Sequence, residues 1–125
     1  MIRLLRRKAR LLVLDDDPSM QRLVATLLRR AGYHVDVVSG GADALAKMTD
    51  HEYDGLLLDV MTPTEGANTV IRHLRETRPE LLRRVILVTA SPDSLLKSMV
   101  GDVFAVVHKP FEPKELLDAV ASIPE

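Results

Sequence analysis

At 125 residues, with a formal charge of −1 and no cysteine, the chain has the size of one domain that buries a core without staples. Disulfides, thiolate metal sites and a cysteine nucleophile are excluded, so any chemistry must use carboxylates, hydroxyls, lysine or histidine. No apolar run approaches the length of a membrane span, and "MIRLLRRKARLL" breaks its hydrophobic part with charges, unlike a secretory signal. A cytoplasmic protein that does not enter a membrane is expected.

The charge is unevenly spread. Arg3, Arg6, Arg7, Lys8 and Arg10 supply five of the seventeen basic residues, leaving twelve basic against eighteen acidic residues, a balance of −6. A basic arm of this kind could touch nucleic acid or anionic lipid, but the simpler reading is a solvated extension. Residues 1–9 are therefore read as a basic N-terminal extension and 10–125 as the folded domain.

The first predicted strand, Arg10 to Leu14, ends in four apolar residues, as suits a strand covered on both faces. From Pro18 to Ala31, Met20, Leu23, Val24, Leu27 and Leu28 fall on one face with arginines opposite, and Gly32 stops the helix. "HVDVV" predicts strand two, and "GADALAKMTD" a helix presenting Ala42, Leu45 and Met48. "YDGLLLDV" predicts strand three, and "GANTVIRHLRETR" a helix with Val70, Ile71 and Leu74 inward, ended by Pro79. "RVILVTA" is strand four, "SPDSLLKSMV" a short fourth helix with Pro92 at its first position, and "VFAVVH" strand five. "EPKELLDAVASI" closes the chain as a fifth helix that buries Leu116, Leu117, Val120 and Ile123.

Five strands alternating with five helices through short connections argue for an α/β domain, a doubly wound five-stranded parallel sheet with helices on both faces. Ligands of such sheets bind beyond the carboxyl ends of the strands. Those ends carry Asp15, Asp16 and Asp17 after strand one, Ser39 and Gly40 after strand two, Asp59 at strand three, Thr89 at strand four and Lys109 after strand five. Crowded carboxylates repel, and a hard divalent cation bound through oxygens relieves this; Mg²⁺ suits one or two carboxylates plus water and phosphate oxygens. Lysine and threonine offer a cation and a donor to an anion, and an aspartate can act as nucleophile on phosphorus. Asp17 before Pro18 reads as a helix cap rather than a ligand.

These residues carry a family resemblance. "LLVLDDDPS", "LLLDVMTP", "VILVTAS" and "HKPF", in this order, resemble the receiver domain of two-component response regulators, the group of the chemotaxis regulator, from Arg10 to Ile123. Each motif is weak alone; the four together are specific. The resemblance implies the flavodoxin-like receiver fold with strand order 2-1-3-4-5. It makes Asp59 the phosphoacceptor of a histidine kinase or phosphotransfer protein. It implies Mg²⁺ held by Asp16, Asp59 and the main-chain carbonyl of Met61, with Asp15 acting through water. Thr89 would bond the phosphoryl group, Lys109 would pair with Asp59 and then with that group, and Pro110 would follow a cis peptide bond. The domain would be a phosphoacceptor rather than an enzyme on a separate substrate.

Three departures stand out. The "PTEG" loop, Pro63 to Gly66, is one residue shorter than the family pattern, with Thr62 in an apolar position. Val106 stands where many receivers carry a switching aromatic, and Phe104, two residues earlier, is expected on the same side of the strand. The stretch from Thr89 to Lys109 is also shorter than in the chemotaxis regulator. The short loop and the missing aromatic favour an alternative, a receiver-like interaction module that works without phosphorylation; the retained acidic, hydroxyl and lysine set opposes it. A small phosphatase would need a cap for which the chain has no spare length. Direct DNA binding is not expected, and the partners implied are a histidine kinase or phosphotransfer protein, a downstream protein target and, on activation, a second copy of the chain.

Overall fold

The computed structural model describes residues 8–60, 66–90 and 101–124. In chain order its elements are β1 (Arg10–Leu14), α1 (Pro18–Arg30), β2 (His34–Val38), α2 (Gly41–Asp50), β3 (Gly55–Asp59), α3 (Gly66–Thr77), a 3-10 helix (Pro79–Arg84), β4 (Val85–Thr89), β5 (Ala105–His108) and α4 (Pro113–Ala121). All strand pairs are parallel, in the order β2-β1-β3-β4-β5, which is the doubly wound, flavodoxin-like arrangement. The predicted fourth helix over 91–100, the Met61 carbonyl and the shortened loop through Glu65 lie outside the described residues, so α4 is the fifth of the predicted helices.

Every residue of β3 and β4 is buried, and so are four of the five in β1, because helices cover the sheet on both sides. One face packs Leu12, Leu56, Leu58 and Leu87 against Ala44 of α2 and Val70, Ile71 and Leu74 of α3. The other packs Leu11, Val13, Leu57 and Ile86 against Val24, Ala25 and Leu28 of α1 and Leu116 and Val120 of α4. The alternation along each strand thus sorts its side chains between two cores.

Three local readings are corrected and one, the stop at Pro79, is extended. The stripe that α1 buries is Val24, Ala25 and Leu28, while Leu23 is 46% exposed; a small alanine can face the sheet directly, which shifts the stripe away from Leu23. In α2 the fully buried residue is Ala44, and Ala42 is exposed, for the same reason. Pro79 ends α3 but also opens the 3-10 helix, which turns Leu82 into the core. Phe104 stands before β5 and packs on the α1–α4 side, opposite Val106; strand alternation does not bind a residue outside the strand.

Gly32 closes α1 in the left-handed region, φ 103°. Its N–H donates to Arg29 O at 3.0 Å and Tyr33 N–H to Leu28 O at 3.1 Å, the Schellman pattern that glycine adopts without a Cβ penalty. The turn sends the chain back along the sheet as β2. There Arg29 donates to the Val35 carbonyl at 2.9 Å, covering part of an edge that other strands could pair with.

At the amino ends of the strands, opposite the candidate site, the Tyr53 hydroxyl donates to Asp36 Oδ2 at 2.6 Å and Arg10 Nη1 lies 3.2 Å from the same oxygen. Tyr53 first, and then Arg10, hold the Asp36 carboxyl below its ordinary value of 3.8, against the opposing effect of burial. A depressed folded-state pKa stabilises the protein above the unfolded value, and that contribution is lost as pH falls through the folded one. Tyr53→Phe should therefore cost about 1–2 kcal/mol at pH 7. The gap between wild type and variant should narrow below about pH 4 in urea unfolding followed by circular dichroism; a constant gap across that range would show that Asp36 ionisation is not involved.

Candidate functional site

The register of the parallel ladders brings the predicted residues to one edge. Leu14 pairs with Leu58, Asp59 with Val88, and Thr89 with His108, so the residues that end β1, β3, β4 and β5 come level at the carboxyl end of the sheet. Asp15, Asp59 and Thr89 are 3%, 6% and 0% exposed, whereas Asp16 is exposed. Carboxylate oxygens of Asp15, Asp16 and Asp59 all lie within 4.8 Å of one another.

Lys109 reaches this cluster from the loop after β5. Its Nζ lies 3.4 Å from Asp15 Oδ2 and 3.4 Å from Asp59 Oδ2, and its backbone N–H donates to Thr89 O at 2.8 Å. The ammonium thus sits between two buried carboxylates, where the family resemblance had paired it with Asp59. The Lys109–Pro110 peptide is cis, as the resemblance implied. His108 ends β5 with its side chain outward.

The three aspartates of the opening motif separate by role. Asp17 is the N-cap of α1, with φ −89° and ψ 115°, and accepts from Ser19 N–H at 3.0 Å. Its own N–H donates to Asp15 Oδ1 at 2.9 Å, leaving Asp15 Oδ2 for Lys109. Asp16 is exposed, with a carboxylate oxygen within 4.8 Å of those of Asp15 and Asp59. A donor set of carboxylate oxygens without imidazole or thiolate suits a hard cation, and the residues present fit Mg²⁺: Asp16 and Asp59 can offer oxygens, with Asp15 beside them.

Two contacts escaped the sequence. Gln21 Nε2 donates to the Asp15 carbonyl and, at 2.9 Å, to Ser39 Oγ, joining the loops after β1 and β2; a polar residue in the first turns of a helix carries no signal for this. The starts of α2 and α3 also cross closely. A Cβ at Gly41 would lie 3.1 Å from Gly66 Cα, and one at Gly66 would lie 3.0 Å from Leu14 Cδ2, so both positions have little room for a side chain.

The comparisons with known proteins agree with this geometry. The family model of the response regulator receiver domain matches residues 11–121, and the chain belongs to that family. It is 33% identical over 115 residues to the transcriptional regulatory protein GltR of Pseudomonas aeruginosa, with 90% of this chain and 48% of the relative covered. It is 34% identical over 118 residues to the DNA-binding response regulator MtrA of Mycolicibacterium smegmatis, with 90% and 49% covered. The chain thus spans about half the length of these curated relatives. Among solved structures, response regulator TrrA of Thermotoga maritima, in complex with Mg²⁺ and BeF, superposes with a TM-score of 0.77 at 29% identity, covering 90% of this chain and 96% of that one. No helix among the described residues is long and apolar enough to cross a membrane.

Proposed function

We propose that this domain is a phosphorylation-controlled switch of a two-component system, accepting a phosphoryl group on Asp59 from a histidine kinase or phosphotransfer protein. The observation that carries this reading is the convergence of three carboxylates within 4.8 Å with Lys109 Nζ 3.4 Å from Asp59, in a chain of the receiver family. When bound, Mg²⁺ supplies charge neutralisation for the incoming phosphoryl oxygens. Asp16 and Asp59 would hold it, with Asp15 assisting through water and the Met61 carbonyl as the family's further ligand.

Asp59 is the nucleophile: its carboxylate attacks phosphorus, the P–N bond to the donor histidine breaks, and the electron pair of that bond returns to the imidazole. Burial at 6% exposure holds the carboxylate at the pocket floor and limits the access of water. Lys109 exchanges its pairing with Asp59 for the new dianion, and Thr89, at the end of β4, supplies a hydroxyl to it. Redistribution of these contacts biases the β4–β5 side of the domain between two states. The domain works in the cytoplasm as a phosphoacceptor, without a separate substrate, and passes the signal to a protein target. The DNA-binding relative named above supports a transcriptional output through a separate segment.

Incubation with acetyl phosphate tests this reading. Labelling of the full chain should occur with Mg²⁺ and fall to background with EDTA; labelling indifferent to metal, or absent under both conditions, would favour the unphosphorylated interaction module instead.

A further inference from the structure

Asp15 is restrained at four points. Its N–H donates to Val38 O at 3.1 Å, its carbonyl accepts from Gln21 Nε2, Oδ1 accepts from Asp17 N–H at 2.9 Å, and Oδ2 faces Lys109 Nζ at 3.4 Å. The carboxylate of Asp16, exposed beside it, makes no hydrogen bond or ion pair among the described residues. Its direction is inherited from the backbone. The Asp15 carbonyl, the Asp16 N–H and the Asp16 Cα share one planar peptide unit, so whatever orients that carbonyl also fixes where the Cα that carries the Asp16 carboxylate sits.

Gln21 orients it from a firm base. Its N–H donates to Asp17 O at 2.9 Å as α1 begins, and its second amide hydrogen is engaged by Ser39 Oγ at 2.9 Å, so the amide is fixed between two loops. We propose that Gln21 is a positioning residue for the metal site: through the Asp15 carbonyl it aims the Asp16 carboxylate at the cation. This rests on the Mg²⁺ reading above. Residues that orient metal ligands without touching the metal commonly change affinity by 10–100-fold.

Gln21→Met keeps the side chain's length and removes its donors, at a half-buried helix position that tolerates the change. Mg²⁺ titration followed by backbone amide shifts should give a Kd raised about tenfold. The maximal rate of acetyl phosphate labelling at saturating Mg²⁺ should stay within about twofold, since the nucleophile is untouched. In the metal-free protein the Asp17 amide should exchange with solvent faster, as its bond to Asp15 loosens. A Kd unchanged by the substitution while wild type binds Mg²⁺ overturns the positioning role alone, as does a lowered maximal rate at unchanged Kd. Absence of Mg²⁺ binding in wild type overturns the metal reading and this inference together.

Discussion

Asp59→Asn should abolish labelling by acetyl phosphate or a kinase and, in the absence of metal, stabilise the fold. The amide presents the same shape with a far weaker nucleophile, so incorporation should drop to background while the circular dichroism spectrum persists. The stability gain comes from charge. Asp15 and Asp59 are both buried and share one ammonium, with the Asp16 carboxylate close by, so removing one negative charge relieves repulsion worth about 1–2 kcal/mol after screening. Saturating Mg²⁺ should erase the difference, because only the wild-type pocket then has three carboxylates to offer the cation. Urea unfolding with and without Mg²⁺ measures both effects. Undiminished incorporation in the variant would place the phosphoacceptor elsewhere, and a variant less stable than wild type without metal would show that Lys109 already neutralises the cluster.

Lys109→Met has the second large effect. The lysine side chain is 14% exposed and those of its two partners are 4% and 5% exposed, so the substitution leaves two buried carboxylates facing each other. Removing one side of a buried pair in this way costs about 2–4 kcal/mol. Mg²⁺ should recover part of that loss by taking over the cationic role. Phosphorylation should slow roughly 10–100-fold, as the charge developing on the phosphoryl oxygens loses a positioned donor. Combined with Asp59→Asn, the stability loss should be smaller than the sum of the single effects, because the repulsion that Lys109 relieves is then largely gone. Strict additivity in the double-mutant cycle would mean that the 3.4 Å contact carries no coupling.

Much of the architecture was legible in the chain. Continuous apolar runs such as "LLVL" and "VILVT" announce strands covered on both faces, and the alternation with helical patterns leads to a parallel sheet whose strand ends must share an edge. The placement of Asp15, Asp16, Asp59, Thr89 and Lys109 along that edge follows. Aspartate before proline likewise announced the cap of α1. Helix faces were less legible: Leu23 and Ala42 fit the hydrophobic period, yet Ala25 and Ala44 occupy the buried positions, since close approach to a sheet rewards small size as much as hydrophobicity. Phe104 misled because the rule of alternation was applied one residue outside β5.

The sequence by itself determined which residue types gather at the carboxyl edge of the sheet, because strand order in the chain and two-sided burial leave few ways to arrange five parallel strands. Only the tertiary structure decided how Asp15 and Asp16, beside the cap that Asp17 already announced, divide their work. Asp15 turns inward to Lys109, Asp17 folds onto the first turn of α1, and Asp16 is left facing solvent. That division depends on Val38, Gln21 and Lys109, which come from three other parts of the chain. No local pattern encodes contacts of that range, because they exist only once the sheet has brought the segments together.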